Sequence, residues 1–335
     1  MQIRLPMRCW SRAVQSVVYS AGTVLLVLAA ARVLASASPP NTVDLAIAKV
    51  VFDPTRNLPN HFGNRRQFAV DVKVESLTGR IQNNTYMFRV NLYWARGIQP
   101  ADRIGLAATG RFTFNHQSQT VGTTVSCHVP THSTSTYVYR QPAAAAYLVA
   151  ELTDFTITET DASDNVISLR VPTAAELATR VLANGNVTLA TAHSKGFKDS
   201  AYARTNIQDV AAGRPAQRSS YKDGSLQAPG GKTELDPRML NGLLELARQY
   251  RMSISEVAGG AHSANSPHYK GLAIDVTHIN GAPVSANNSN VAAFRARAVE
   301  LGANKTHGPG EYGYDSHARI EWPNDAELTS TTSSP

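Results

Sequence analysis

Cysteine is nearly absent from this chain: there are two in 335 residues, Cys9 and Cys127. Cys9 falls in a stretch read below as a removable leader, so Cys127 stands alone and no bridge can form within the remaining chain. That excludes a disulfide-stapled secreted module and fits a bacterial envelope protein. A catalytic thiol is not expected either, because the neighbouring His128 points to the opposite face of a strand. A strong basic surplus is lacking too. The formal charge is +7, but Arg4, Arg8, Arg12 and Arg32 lie in the first 37 residues with no acid among them, and without that segment it drops to +3. Nucleic acid is therefore not an expected partner.

Long apolar runs are confined to the N-terminus. Arg4, Arg8 and Arg12 precede the run from Ala21 to Ala31, and Ala35-Ser36-Ala37 offers a small-x-small cleavage site. Residues 1–37 read as a signal peptide. The alternative is an uncleaved anchor over Val17 to Leu34, interrupted by Ser20 and Arg32, and a membrane is a partner only in that case. Export to the periplasm, the cell wall or the outside of a bacterium is the expected location.

From about Asn41 to Val171 the pattern is that of strands. Val70, Val72 and Val74 alternate with Asp71, Lys73 and Glu75, and Tyr86, Phe88, Val90, Leu92 and Trp94 alternate with Met87, Arg89, Asn91 and Tyr93. Turn-forming breaks at Asp53-Pro54, Leu77-Thr78-Gly79 and Asn83-Asn84 predict an all-β, immunoglobulin-like sandwich over 41–171. No chemistry is legible in it, so its expected role is that of a spacer or binding platform.

Helical spacing takes over beyond Pro172. Residues 172–194 read as linker and domain entry, with a helix from Ala174 to Leu182, a stop at Asn184-Gly185-Asn186, and a strand from Val187 to Ala190. A second domain is expected over 195–323. Its polar stretch from Thr205 to Gly231 carries Arg214, Arg218 and Lys222, with Lys232 just beyond, and reads either as a solvated loop or as a binding wall for peptide carboxylates. Asp236-Pro237 predicts a capped helix with Leu240, Leu243, Leu244 and Ala247 on its core stripe. A second helix is expected over Asn290 to Leu301, ended by Gly302. Residues 324–335 read as a small polar, disordered tail.

The most informative stretch is Ser266-Pro267-His268-Tyr269-Lys270-Gly271-Leu272-Ala273-Ile274-Asp275-Val276. Leu272 to Val276 is apolar apart from Asp275, so a buried strand carries one carboxylate. A bare buried carboxylate is costly and needs a cation or several donors beside it. His268, beyond the flexible Gly271, is the nearest group to share that cation.

The stretch matches every fixed position of Ser-x-His-x-x-Gly-x-Ala-x-Asp. It resembles the LAS-type zinc peptidases, which include D-alanyl-D-alanine carboxypeptidases, phage endolysin peptidases and the metal-binding domain of hedgehog proteins. The resemblance covers about residues 185–323 and implies a compact α+β domain holding Zn2+, with His268 and Asp275 as two ligands. The third ligand and a catalytic carboxylate are implied in a later strand, for which Asp315-Ser316-His317-Ala318-Arg319-Ile320-Glu321-Trp322 is the candidate. His317 is favoured as the ligand, with Asp315 or Glu321 as base. Arg319 cannot ligate, because a guanidinium has no lone pair to give, and a gapless match would instead put Glu321 at the ligand position. Ser266 and Arg319 are assigned to substrate binding. His262 and His278 read as loop or hydrogen-bonding histidines, and His307 as a weaker third ligand. The implied activity is hydrolysis of peptidoglycan stem peptides, of D,D-carboxypeptidase or endopeptidase type. The alternative is a zinc-stabilised module that binds without cutting.

Overall fold

Side-chain alternation decides the first half. The computed structural model describes residues 41–53, 58–59, 65–66, 68–79, 85–115, 119–129, 140–193 and 196–324. The leader and the tail beyond Asn324 lie outside the described residues. Strands β1 (Thr42–Phe52), β2 (Phe68–Thr78), β3 (Thr85–Ala95), β4 (Arg103–Asn115), β5 (Thr124–Val129), β6 (Tyr147–Thr153), β7 (Thr158–Glu159) and β8 (Val166–Arg170) form two four-stranded sheets. Their orders are β5-β2-β1-β7 and β8-β6-β3-β4. The alternating Val70, Val72 and Val74 of β2 and the Tyr86, Phe88, Val90, Leu92 and Trp94 of β3 are all buried in one shared core. Trp94 sits edge-on to Phe52 and Phe68, with ring centres at 5.2 and 6.0 Å, a geometry that suits the ring quadrupoles. Cys127 is buried in the same core, and burial, with Asp71 nearby, pushes its thiol up to about 12. It stays a thiol and is inert.

A second core begins three residues after the first ends: Val171 belongs to the first and Ala174 to the second. Helix α1 (Ala174–Ala183) is opened by a capping box in which Thr173 and Glu176 satisfy each other's backbone N–H groups. It buries Leu177, Ala178 and Val181 in the second core. There follow β9 (Val187–Leu189), α2 (Ala203–Ala211), α3 (Pro237–Ala247), β10 (Met252–Glu256), β11 (Ala273–Ile279), α4 (Asn290–Glu300), β12 (Lys305–His307) and β13 (Ala318–Glu321). The strands make one sheet in the order β9-β10-β11-β13-β12. Only β9 and β10 are parallel along this path. The whole is a β-rich α+β fold with four helices among the described residues, and none of them is long and apolar enough to cross a membrane.

One buried ionic knot ties the two halves together. Asp236, fully buried, caps α3 by accepting from the N–H of Arg238 at 2.8 Å, and its carboxylate also takes the guanidinium of Arg238 at 2.6 Å. Arg140, from the segment ahead of β6, reaches the same carboxylate at 3.0 Å. Burial alone would raise the Asp236 carboxyl, but the two arginines hold it below the usual range. The N–H of Asp236 donates to the carbonyl of Gly271, so this knot also seats the segment that leads into β11.

Candidate metal centre

The geometry of 266–275 follows from three local choices. The hydroxyl of Ser266 accepts from the N–H of His268 at 3.3 Å, opening a single 3-10 turn over His268–Lys270. Gly271 ends that turn in the left-handed region at φ 69°, where a side chain is unfavourable. A Cβ there would also collide with the Glu234 carbonyl oxygen. Leu272 then donates to the Pro267 carbonyl, and β11 starts with Ile274 and Val276 in the core. Asp275 and Thr277, by alternation, line a cavity of about 450 Å³ on the other face.

Cross-strand pairing lays the chemistry out in a row. Asp275 lies opposite Glu256 of β10 on one side and opposite Arg319 of β13 on the other, and Arg319 lies opposite His307 of β12. A bulge in β10 makes this row: Ile254 pairs with Val276, yet Glu256 pairs with Asp275, so one extra residue turns Glu256 off the core face.

Three imidazoles converge on Asp275. His268 is fully buried, and its Nδ1–H donates to the carbonyl of Val257 at 2.7 Å, which leaves Nε2 with the lone pair. That Nε2 is 3.2 Å from Asp275 Oδ1 without hydrogen-bond geometry. Two acceptors at that distance need a proton or a cation between them. The spacing also suits two ligands on a tetrahedral ion with bonds of about 2.0–2.1 Å, which sit roughly 3.3 Å apart. His262 stacks flat on His268 with ring centres at 4.3 Å, and its Nε2 is buried with no partner among the described residues. His262, His268 and Asp275 offer ligand atoms all within 4.8 Å of one another, so this group can hold a metal ion. The orphaned nitrogens are the observation that fits it: buried acceptors without donors are costly, and a divalent cation satisfies them.

The tyrosine of the motif positions the extra ligand. Tyr269 donates its hydroxyl to the Gly260 carbonyl and accepts from the N–H of His262 at 3.0 Å, clamping the 259–262 loop. Burial, and then His268, push the His262 imidazole down to about 3, so it keeps its lone pair at neutral pH. His317 is placed farther off, with Nε2 at 3.9 Å from Asp275 Oδ2, and its own Nε2 is also unpartnered among the described residues. Burial lowers it as well.

Arg319 is the other cation here. Its Nε donates to Asp275 Oδ1 at 2.9 Å and its Nη2 to Oδ2 at 3.2 Å. Burial opposes the charge on Asp275, but a proton or cation shared with His268, together with the Arg319 guanidinium, outweighs it and holds this carboxyl well below the usual range. Asp315 is exposed in the turn before β13, which begins only at Ala318, so it does not continue the strand face shared by Arg319 and Glu321. Glu321 is buried opposite Ala273 and Lys305. Neither acid lines the cavity. Ser266 acts on the backbone of its own turn. His307 is engaged by Glu311 at 2.7 Å, and His278 is exposed within β11. Of the polar stretch 205–231, Tyr221, Asp223 and Leu226 line the cavity, whereas Arg214, Arg218 and Lys222 do not.

Two groups that sequence reasoning missed complete the centre. Glu256 lines the cavity beside Asp275. His193, just after β9, bonds Glu256 Oε1 through Nδ1 at 2.9 Å and Asp199 Oδ1 through Nε2 at 2.8 Å. A histidine with both ring nitrogens on carboxylates is an imidazolium. Burial opposes that charge, but Glu256 and Asp199 raise His193 to about 8. Glu256 keeps Oε2 buried with no partner among the described residues, and burial, only partly offset by His193, raises its carboxyl.

This pairing sets a pH dependence. The folded pKa of His193 lies above its unfolded value, so its contribution is full below about pH 6.5 and is lost as pH rises through about 8. A tenfold gain in proton affinity on folding corresponds to about 1.4 kcal/mol. Urea denaturation of the full chain should therefore lose on the order of 1–2 kcal/mol between about pH 6.5 and 8.5. A His193→Gln variant should show a flat profile there, and an equal slope in both proteins would assign the loss to another group.

No protein-family model, curated protein sequence or solved structure matches the chain.

Proposed function

We propose that the chain is an exported, zinc-dependent peptidase acting on peptidoglycan stem peptides, with an immunoglobulin-like sandwich ahead of a LAS-type catalytic domain. The observation that carries this reading is the convergence of His262, Asp275 and the fully buried His268, with His262, Asp275 and Glu256 on the wall of an open cavity. The Ser266 to Asp275 pattern and the leader-like N-terminus support the cell-wall assignment. Zinc, when bound, supplies a Lewis acid for the scissile carbonyl and lowers the pKa of water to about 7.

The chain's own groups supply the rest. His262 and His268 bring neutral lone pairs, and Asp275 brings the negative charge that makes the set selective for a cation. Glu256 takes the role that the motif resemblance implies for Asp315 or Glu321. His193 holds its Oε1, which leaves Oε2 to accept a proton from the attacking water and pass it to the leaving amine. Arg319 presents a guanidinium to a substrate carboxylate. In the same cavity the stacked rings of Phe197 and Tyr221, at 4.3 Å, and Leu226 offer an apolar surface to a substrate side chain.

Synthetic stem peptides ending in D-Ala-D-Ala test this directly. Zinc-dependent release of D-alanine or of a dipeptide is expected, and Glu256→Gln should lower kcat by about 100-fold or more with zinc still bound. A zinc-loaded protein that cuts no stem peptide would favour a second reading. The bidentate hold of Arg319 on Asp275 is the observation behind it: a site already neutralised by its own arginine suits a module that binds cell-wall peptide without hydrolysing it.

A further inference from the structure

The strand that faces Asp275 brings a cation of its own to the centre. Arg319 lies opposite Asp275 in the pairing of β11 with β13, and its fork covers both carboxylate oxygens, Nε on Oδ1 at 2.9 Å and Nη2 on Oδ2 at 3.2 Å. The choice of oxygen matters. Oδ1 is also the atom 3.2 Å from His268 Nε2, so it is the oxygen through which a metal shared with His268 would bind. A group that only orients a ligating carboxylate can do so from the oxygen left over, whereas this guanidinium makes its shorter bond to the ligating one. The Arg319 side chain is 16 % exposed and that of Asp275 6 %, so salt screens the pair little.

Charge acts in the same direction. Neutral His262 and His268 with ionised Asp275 make a ligand set with one negative charge, and Arg319, which stays protonated, cancels it. Affinity for a hard divalent ion follows the charge of its ligands, and a guanidinium that stays beside the ion repels it.

The arginine is held from behind as well. Its Nη1 donates to the Tyr314 hydroxyl at 3.4 Å, and its Cζ lies 5.3 Å from the centre of that ring. Tyr314 stacks almost flat on His307, with ring centres at 4.6 Å and planes 12° apart. His307 Nδ1 is bonded to Glu311 Oε2 at 2.7 Å, and Glu311 Oε1 accepts from Arg295 of α4 at 2.6 Å. Arg295 in turn is fixed on β12, donating to the Thr306 carbonyl at 2.8 Å. A relay from α4 through the 307–314 segment thus sets where Arg319 points.

We propose that Arg319 is an internal competitor for the metal centre: held on Asp275 by Tyr314 and the relay behind it, it lowers the affinity of the site for a divalent ion, which has to displace the guanidinium from Oδ1. This competition presupposes the zinc site proposed above, but not that the site cuts peptides.

The test is zinc affinity, measured by competition with a chromogenic chelator on the full chain after its metal has been stripped. Arg319→Gln keeps one donor for Asp275 and removes the charge. It should bind Zn2+ at least about 10-fold more tightly than the parent. Its Tm in chelator should fall, because buried Asp275 has lost a counter-charge, and zinc should raise that Tm by at least about 2 °C more than it raises the parent's. Loss of a merely structural residue does not tighten a site. Tyr314→Leu keeps Arg319 and removes its support; a gain of at least about 3-fold is expected from the lost ring contact, and this variant carries the test if Arg319→Gln does not fold. Zinc binding that is unchanged in Arg319→Gln, or weakened about 10–100-fold as for a group that orients Asp275, would overturn the proposal. No gain in Tyr314→Leu would overturn the part given to the relay. Uptake by Arg319→Gln but not by the parent would support the competition, and uptake by neither would overturn it. Cleavage of stem peptides enters none of these outcomes, so the peptidase reading can fail while the competition stands, and the reverse.

Discussion

Zinc content of the purified chain is expected to fall from about one per molecule to near zero in His268→Ala and in His262→Ala, while His317→Ala keeps most of it. The expectation follows from distances and lone pairs. His262, His268 and Asp275 place their ligand atoms within 4.8 Å of one another, a group to which His317 does not belong, although the Nε2 of His317 comes to 3.9 Å from Asp275 Oδ2. Loss of a group that merely orients a ligand weakens metal binding by about 10–100-fold, so a loss beyond about 100-fold marks a true ligand. Competition with a chromogenic chelator measures it, and circular dichroism checks that each variant is folded. If His317→Ala empties the site while His262→Ala does not, the third ligand is His317, as the motif resemblance implies, and the stacked His262 is only a neighbour. The assignment matters chemically. With His262 as ligand, His317 remains on the cavity wall beside Arg319, able to meet a substrate.

Asp236→Ala should cost about 3–5 kcal/mol in urea denaturation of the full chain. Asp236 is fully buried and neutralises Arg238, itself 4 % exposed, along with Arg140 from the first half. Removing the carboxylate leaves a guanidinium buried without its counter-charge, strips the cap from α3 and frees the end of Arg140. Cap loss by itself is worth only about 1 kcal/mol, so a measured cost near that figure would mean that Arg238 finds water and that the ionic knot contributes little. Arg140→Ala separates the two effects, since it removes this ionic link between the halves and leaves the cap and the Arg238 pair in place. A deficit smaller than that of Asp236→Ala is expected, together with a broader transition as the two cores unfold less cooperatively.

Period-2 alternation in a chain with few breaks is enough to read β2 and β3, because each face of those strands meets a different environment and the pattern records it residue by residue. The helices α1 and α3 are equally legible from their caps: Thr173 with Glu176 and Asp236 with Pro237 act on nearby backbone groups. The pairing of His268 with Asp275 is legible for the same reason, since Ser266, the 3-10 turn and the left-handed Gly271 fix it within one short segment. The rest of the centre is assembled across distance. Glu256 faces Asp275 only because of a bulge in the pairing of β10 with β11, and a bulge is a property of two strands rather than of one sequence. His193 reaches Glu256 from beyond β9, and His262 reaches His268 because Tyr269 clamps its loop. Asp315 falls outside the cavity because β13 begins at Ala318, set by pairing with β11 and not by the apolar pattern of 315–322. Sequence alone determined the groups bonded through neighbouring backbone. Tertiary structure decided which remote oxygens and nitrogens meet, since burial makes an unpartnered polar atom costly and only the fold shows which atoms are left without partners.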